Sequence, residues 1–535
     1  MILIRNITLQ PEEPLTLLSK RAAGKLRLSE KNLVECRLVK RSLDARRKDR
    51  IRFVCSVAVS LKGIDEMGES DLLNRLRSAD LALWTPPRYE IPDCHEKAPD
   101  SPRPVIVGFG PAGMFAALVL SYAALRPIVL ERGQDVETRL KAVSVFHAGG
   151  PLDPENNVQF GEGGAGTFSD GKLNTGTHDR RISWVLEQFY RHGAPENVLY
   201  DAKPHIGTDI LTDVVRQIRM DILAHGGDVR FGCRMTALEL EDGSVQGVEY
   251  TDHSGITVLP CSQLILAIGH SARDTVRTLH AQRVPMERKP FAMGVRIEHR
   301  QEMIDRAQYG NTRGNLPPAD YSLHVHLPNG KSAFTFCMCP GGSVFAAASE
   351  EGGVVTNGMS YSARDGKNAN AALLVGLRPE DFPGTGVLAG MEWQREIEQA
   401  AYRCGGGNYL APAQLVGDFL AKRESTGPAE IQPSYQPGVV WTELHTLLPE
   451  QITTVLEKAI PELAKKLSGF DDPSAVLTAP ETRSSSPVRI VRSEALESPI
   501  RGLFPCGEGA GYAGGITSAA VDGMRCAEAV ISSII

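Results

Sequence analysis

Val105-Ile-Val-Gly-Phe-Gly-Pro-Ala-Gly113 is the stretch that decides the fold. Its apolar run reads as a buried strand, Gly108-x-Gly110-x-x-Gly113 follows, and Met114 to Leu125 continues in a helix-compatible pattern. The order is strand, tight turn, helix. In such a unit Gly108 makes the turn, Gly110 lets the backbone approach a pyrophosphate, and Gly113 lets the helix pack on the strand. Pro111 suits the first helical turn, where its missing N–H is not needed, and Ala112 shares that turn. Phosphates then sit at the helix N-terminus, where unpaired N–H groups favour negative charge. Pro127-Ile-Val-Leu130 reads as a second strand. Glu131, beside Arg132, lies about 20 residues past the glycines, where a carboxylate accepts hydrogen bonds from both ribose hydroxyls. Pro104 to Leu125 carries no charge and is long enough for a bilayer. Its glycine and proline interruptions argue against a membrane span.

Two further glycine-rich segments point the same way. Gln159-Phe-Gly-Glu-Gly-Gly-Ala-Gly-Thr-Phe-Ser-Asp-Gly-Lys-Leu173 offers backbone N–H groups without side-chain obstruction, which suits passage beside phosphates or an isoalloxazine ring. Gly164, Gly166 and Thr167 are its expected contacts, and Lys172 is placed to stabilise an anionic reduced flavin. Near the end, Gly507-Glu508 follows the apolar Leu503-Phe-Pro-Cys506, and Gly514-Gly515 leads into an Ala-rich helix from Ile516 to Ile531. That aims a second helix N-terminus at the flavin, with Gly515 and Ile516 at its tip and Glu508 within reach of a ribityl hydroxyl. Together the segments imply bound FAD. Gly226 to Glu239, with Met235, resembles the strand that passes the adenine in many flavoproteins. Gln263 to Gly269 is an apolar strand ending in glycine.

The 535 residues allow two or three domains and a large core. The net charge of −6 is mild, and Met-Ile-Leu-Ile-Arg-Asn lacks the pattern of a secretory signal, so a cytoplasmic location is expected. Ten scattered cysteines read as reduced thiols rather than a disulfide framework. Residues 1–62 carry 15 Lys/Arg against 6 Asp/Glu. A solvated basic face is favoured over a nucleic-acid site. Strands at Met1 to Leu9, Val34 to Val39 and Ile51 to Leu61, with helices at Leu15 to Leu26 and Ser70 to Leu81, read as a βαββα, ferredoxin-like module. The expected division is an N-terminal α+β module over 1–85, a Pro-rich linker over 86–103, an FAD-binding domain in two parts over 104–284 and 486–535, and an inserted α+β substrate or cap domain over 285–485. The fold class is therefore α/β, a Rossmann-type FAD-binding fold with a cap and a small leading module.

The Rossmann glycines, the 159–173 segment, Gly269-His-Ser-Ala-Arg-Asp-Thr275, Phe336-Cys-Met-Cys-Pro-Gly-Gly342, Glu481-Thr-Arg-Ser-Ser-Ser-Pro-Val-Arg489 and Gly507 to Gly523 together resemble the bacterial family of FAD-utilising dehydrogenases of unknown substrate. Arg41-Ser-Leu-Asp-Ala-Arg46 is similar to that family's leading module, so the resemblance spans nearly the whole chain. It implies FAD and leaves the substrate open.

Catalytic candidates are fewer. Arg483, Arg489 and Arg492 precede the last flavin strand and can clamp a carboxylate or phosphate, or pair within the cap. Arg296 and His270 are placed where a cap meets the flavin, and His270 can act as an acid or base. Cys337 and Cys339 suggest a redox pair, but on a regular strand their Cα atoms stand about 6.8 Å apart, beyond the usual ~5.5–6 Å of a disulfide. Packing is the favoured role for them unless the backbone bends at Met338. His324 and His326 lack a third ligand, so no metal is expected. The function expected is an FAD-dependent oxidoreductase that passes hydride or electrons through its flavin to or from a small molecule of open identity, an anionic metabolite being the candidate. NAD(P)H is a possible transient reductant and a donor protein a possible partner. The alternative is a flavin module acting on RNA or a protein through its basic domain.

Overall fold

A computed structural model describes residues 1–92, 102–310 and 313–534. Half of the expected linker lies in 93–101, outside the described residues.

The N-terminal module contains β1 (Ile2–Leu9), α1 (Leu17–Lys25), β2 (Leu33–Asp44), β3 (Arg52–Leu61), α2 (Glu66–Leu76) and β4 (Leu81–Leu83). The strands form one antiparallel sheet in the order β2-β3-β1-β4, each helix crossing over one strand, which is the ferredoxin-like arrangement. The fourth strand is absent from the βαββα reading. Residues 70–81 were expected to be one helix, but α2 starts earlier because the Asp65 side chain caps it by accepting from the Gly68 N–H at 2.9 Å. It stops at Arg77, which turns left-handed at φ 46° and frees Leu81 for the sheet.

Part of the module's basic surplus is held in ion pairs. Arg21 meets Glu13, Lys25 meets Asp80, Arg46 and Arg52 meet Asp44, and Arg47 meets Asp49. Arg41 docks the module instead. Its guanidinium holds Asp201 through two bonds of 2.6 and 2.9 Å and lies 5.3 Å from the ring centres of both Phe53 and Tyr200. Its backbone bridges the same segment. Arg41→Ala should remove about 2 kcal/mol from this junction, seen as faster hydrogen exchange in residues 33–61 with the flavin half unchanged. Unaltered protection there would show that the contact is not the one that holds the module.

A five-stranded parallel sheet begins with β5 (Val105–Val107), α3 (Pro111–Tyr122), β6 (Ile128–Leu130), β7 (Asp228–Arg230) and β8 (Leu264–Leu266), followed by α4 (Arg273–Ala281). The expected single strand over 226–239 is broken after β7, where Gly232 adopts φ 65°. Its second part, Arg234–Glu241, joins a separate antiparallel sheet with Ser244–Asp252 and Gly255–Pro260.

The chain then leaves through Met286–Arg288 and returns through Val488–Ile490, which pair with each other. Between them lies a seven-stranded sheet whose centre is β9 (Phe291–Arg300), β10 (Ser332–Cys339), β11 (Asn368–Leu377) and, after helix α5 (Ala389–Cys404), β12 (Val476–Glu481). Strict alternation in β9 and β11 gives this sheet two faces. Val295, Ile297, Ala371 and Leu373 join Leu456 and Ile460 of the helix Glu450–Ala464 in one apolar core. Arg296 and Asn370 occupy the opposite face and bond to each other at 2.9 Å.

The last strand, β13 (Leu503–Pro505), pairs with β8, so the parallel sheet reads β13-β8-β5-β6-β7. In sequence terms that is the order of a doubly wound dinucleotide fold, whose ligands sit at the switch point above β5. Helix α6 (Ile516–Ile534) packs on α3. Gly523 permits this, since a Cβ there would stand 2.0 Å from the Ala112 carbonyl oxygen.

Candidate cofactor and substrate site

The switch point opens into a cavity of about 450 Å³ that continues up to the cap sheet. Its floor is the glycine turn. Gly108 has φ 98°, and a Cβ on it would lie 2.3 Å from the Ala267 carbonyl, so only glycine brings β5 and β8 this close. Gly110 is the N-cap of α3 with no side-chain cap, Pro111 follows at N1, and the open helix start faces the cavity. Gly164 and Gly166 lie across from it. A Cβ on Gly110 would meet only Gly164 Cα at 3.7 Å, and one on Gly166 would meet Ile516 at 3.1 Å. Three segments far apart in sequence thus form one wall without protruding side chains. Gly110, Pro111, Ala112, Gly164, Gly166, Gly515 and Ile516 all line it.

Glu131, Arg132 and Met235 line the far end beyond β6. The Glu131 carboxylate is buried, and Oε1 accepts from the Gly133 and Gly161 N–H groups at 2.8 and 2.9 Å while Oε2 accepts from Phe109 N–H at 2.8 Å. Three of its roughly four acceptor positions are thus taken. It keeps room for one ribose hydroxyl, where the sequence suggested two. Arg132 is braced by Glu155 and Asp274 and stacks 4.0 Å over Phe160.

Four expected contacts lie off the wall. Gly113 is behind the turn, where its hydrogen faces the Gly108 carbonyl. The Thr167 hydroxyl turns away to the Glu162 carbonyl at 3.2 Å. The Gly507 N–H donates to Asp522 at 2.8 Å. Arg489 pairs with Glu287 at 3.1 Å. Arg492 is likewise spent, holding Asp522 at 2.7 Å and the Pro505 carbonyl, so the expected arginine cluster does not converge.

The upper end gathers titratable side chains. Lys172 lines the cavity and pairs with Asp170 at 2.8 Å while donating to the Met338 carbonyl of the cap. Burial alone would raise the Asp170 carboxyl, but Lys172 and Arg364 outweigh it and hold the group below its ordinary value. His270 lies on the same wall, its side chain 9% exposed, with Nδ1 3.5 Å from Glu508. Its Nε2 is buried and has no hydrogen-bond partner among the described residues. Gly269 and Glu508 flank it.

Arg483 also reaches the cavity, but not as a free clamp. It grips Glu398 through bonds of 3.1 and 2.8 Å and bonds the Ser349 hydroxyl. Glu398 simultaneously takes two 2.8 Å bonds from Arg273 of α4 and one of 2.6 Å from the Thr482 hydroxyl. The buried carboxylate therefore joins the flavin half to the cap.

Sequence reasoning missed Glu481, which closes β12. A register shift between Gly294 and Arg296 on the partner strand turns it to the cavity. Burial pushes its carboxyl up to about 7, offset only in part by Arg296, whose Nη1 is 3.4 Å away. Glu481 opens one of the quoted motifs, yet only its arginines drew attention, because pairing and burial are invisible in a linear string. Arg364 carried no signal at all.

A cavity built on two glycine strips, an uncapped helix start, a carboxylate with one acceptor position left and an orphaned imidazole nitrogen fits a flavin dinucleotide. The fold and the site define a Rossmann-type flavoprotein. Residues 290–484 match the family described as "FAD-dependent protein, C-terminal domain-like", and residues 1–60 match a domain of unknown function. The chain is 46% identical over 535 residues to a Clostridium beijerinckii protein that carries the name "Uncharacterized protein", covering 99% of this chain and 98% of that one. The chain belongs to the same family, and its cofactor is FAD. Among solved structures, a flavin-dependent brominase is similar at 12% identity and TM-score 0.37 over 81% of this chain and 79% of its own. E. coli quinol fumarate reductase is similar at 12% and 0.37 over 81% and 70%. Neither is close enough to speak for this chain's chemistry. No helix among the described residues is long and apolar enough to cross a membrane.

Proposed function

We propose that the protein is a cytoplasmic oxidoreductase that passes a hydride or electrons between a small anionic substrate and bound FAD. The observation that carries this reading is one continuous cavity. It runs from the open start of α3 to an upper end where Lys172 and His270 of the flavin half meet Glu481 and Arg483 of the cap. FAD supplies the two-electron chemistry when bound. Gly110 to Ala112, Gly164 and Gly166 would hold its phosphates, Glu131 a ribose hydroxyl, and Met235 its adenine end. His270 and Lys172 would face its reactive end.

The chain's own groups divide the remaining work. Lys172 and Arg364 share the single charge of Asp170, so this corner keeps a net positive charge that favours an anion. Glu481 sits near neutrality and can hold or release a proton at its carboxyl oxygen. His270 Nε2 is free to bond substrate or cofactor. The reductant is then the substrate itself, NAD(P)H approaching the open side, or a donor protein.

Anaerobic visible spectra of the FAD-loaded protein, before and after NADH or NADPH, test the reading. The bands should bleach with a nicotinamide or with an organic acid substrate. Protein that retains no flavin after loading, or flavin that no physiological reductant bleaches, would overturn it.

A further inference from the structure

The Cys337-Met338-Cys339 segment does not run as a regular strand. In the pairing of β10 with β11, Phe336 faces Ala372 and Cys339 faces Asn370, so three steps on one strand match two on the other. The extra residue forms a bulge, and Cys337 takes the left-handed backbone at φ 41°. Bulges re-aim side chains and cluster beside active sites. Here the bulge breaks the regular alternation that sets i and i+2 thiols about 6.8 Å apart on a straight strand.

Both cysteines line the flavin cavity, and both are free thiols. Cys337 is exposed, and the space it is exposed to is this interior cavity, which leaves its side chain room to rotate. The Cys339 thiol already lies 3.2 Å from the Cys337 carbonyl oxygen. Two cations grip the same three residues. Arg296 Nη2 stands 2.9 Å from the Cys337 carbonyl and 3.6 Å from Cys339 Sγ, and Lys172 bonds the Met338 carbonyl. The protein packed around the cavity desolvates the Cys337 thiol and pushes it up to about 12, with Lys172 and Arg296 working against it, and burial raises Cys339 too, so the pair rests as neutral dithiol. Among the described residues no further His, Cys, Asp or Glu completes a metal-binding set with them.

We propose that Cys337 and Cys339 form a second two-electron centre that exchanges electrons with the FAD held in this cavity. The inference rests on the flavoprotein reading and adds a dithiol to it. In the forward step the two S–H bonds break and one S–S bond forms. The pair surrenders two electrons and two protons: the electrons and one proton pass to oxidised FAD, and the other proton passes to Glu481 on the same wall. The reverse step reopens the disulfide at the expense of reduced FAD. A small thiol or disulfide substrate would then enter the cavity and exchange at Cys337, the sulfur that faces it.

Anaerobic dithionite titration of the FAD-loaded, air-oxidised full chain provides the test. Wild type should take up four electrons per bound FAD, whereas Cys337→Ser and Cys339→Ser should take up two. A second measurement needs no variant: alkylation of oxidised and reduced wild type, followed by peptide mass analysis, should show this one peptide losing two hydrogens on oxidation. Uptake of two electrons by all three proteins, with Cys337 and Cys339 alkylated equally in both states, would overturn the proposal while leaving the flavin reading intact. Absence of bound FAD in wild type would show itself before titration and remove both.

Discussion

Gly113→Ala is expected to strip FAD from the protein. A Cβ at this position would stand 1.9 Å from the Gly108 carbonyl oxygen and 3.0 Å from its carbon. These are backbone atoms of the very turn that the cofactor approaches, so no flexible side chain can yield. Helix α3 must lift from β5, which moves the open N–H groups at its start away from where phosphates would sit. Overpacking of this kind costs about 1–3 kcal/mol, and if the whole penalty falls on binding the affinity drops by ~5–150-fold. Gly110→Ala is the informative partner. Its Cβ would meet only Gly164 Cα at 3.7 Å, and its backbone sits at φ −75°, so the apoprotein should fold as before. It should still weaken FAD, because the methyl group occupies the space that the pyrophosphate needs. Flavin fluorescence titration and apoprotein denaturation separate the two: Gly113→Ala should lose both affinity and stability, Gly110→Ala affinity alone. Wild-type FAD affinity in Gly113→Ala would refute this account of the turn.

The largest stability effect should come from Glu398→Ala. The Arg273 and Arg483 side chains are 1% and 3% exposed, and Glu398 is the carboxylate both hold. Removing it strands two buried guanidinium groups, and breaking a buried pair in this way typically costs about 3–5 kcal/mol. Glu350, 3.2 Å from Arg273, can compensate only one of them. Because the ion triad spans α4, α5 and the segment after β12, the loss should appear as separation of cap and flavin half. Proteolysis between residues 285 and 290 is the readout.

The pH dependence follows from the same group. Burial would raise the Glu398 carboxyl, but the Arg273 and Arg483 charges prevail and hold it well below the ordinary carboxylate range. Its contribution is therefore complete above the ordinary Glu value of about 4.3 and is lost as pH falls from there through the folded pKa. Glu398→Gln keeps the shape and should flatten that acid limb of the stability profile. An unchanged acid limb in the glutamine variant would place the acid sensitivity elsewhere.

The cofactor half of the site was legible because its chemistry is local. A strand, a glycine turn and a helix occupy consecutive residues from Val105 to Tyr122, and Gly108 and Gly113 answer backbone needs that no other residue meets while Gly110 leaves the helix start unobstructed. The ferredoxin-like module was legible for the same reason, up to its fourth strand, Leu81–Leu83, which is three residues long and gains its identity only by pairing with β1. The same limit explains the misplaced α2, where the Asp65 cap outweighed the apolar pattern.

Charged residues could not be read in this way. Arg483, Arg489 and Arg492 look alike in sequence, yet one locks Glu398, one sits on Glu287 at the surface and one holds Asp522. Partners 85, 202 and 30 residues away decide whether each charge is available to a ligand, and only tertiary packing supplies those partners. The bulge at Cys337 is a similar case, since a register shift belongs to a pair of strands and not to either one. The sequence by itself determined that this is an FAD protein with a leading module, because backbone approach to a dinucleotide demands glycine at set spacings. Tertiary structure alone decided which side chains line the cavity, because burial, pairing and strand register are properties of contacts between distant segments.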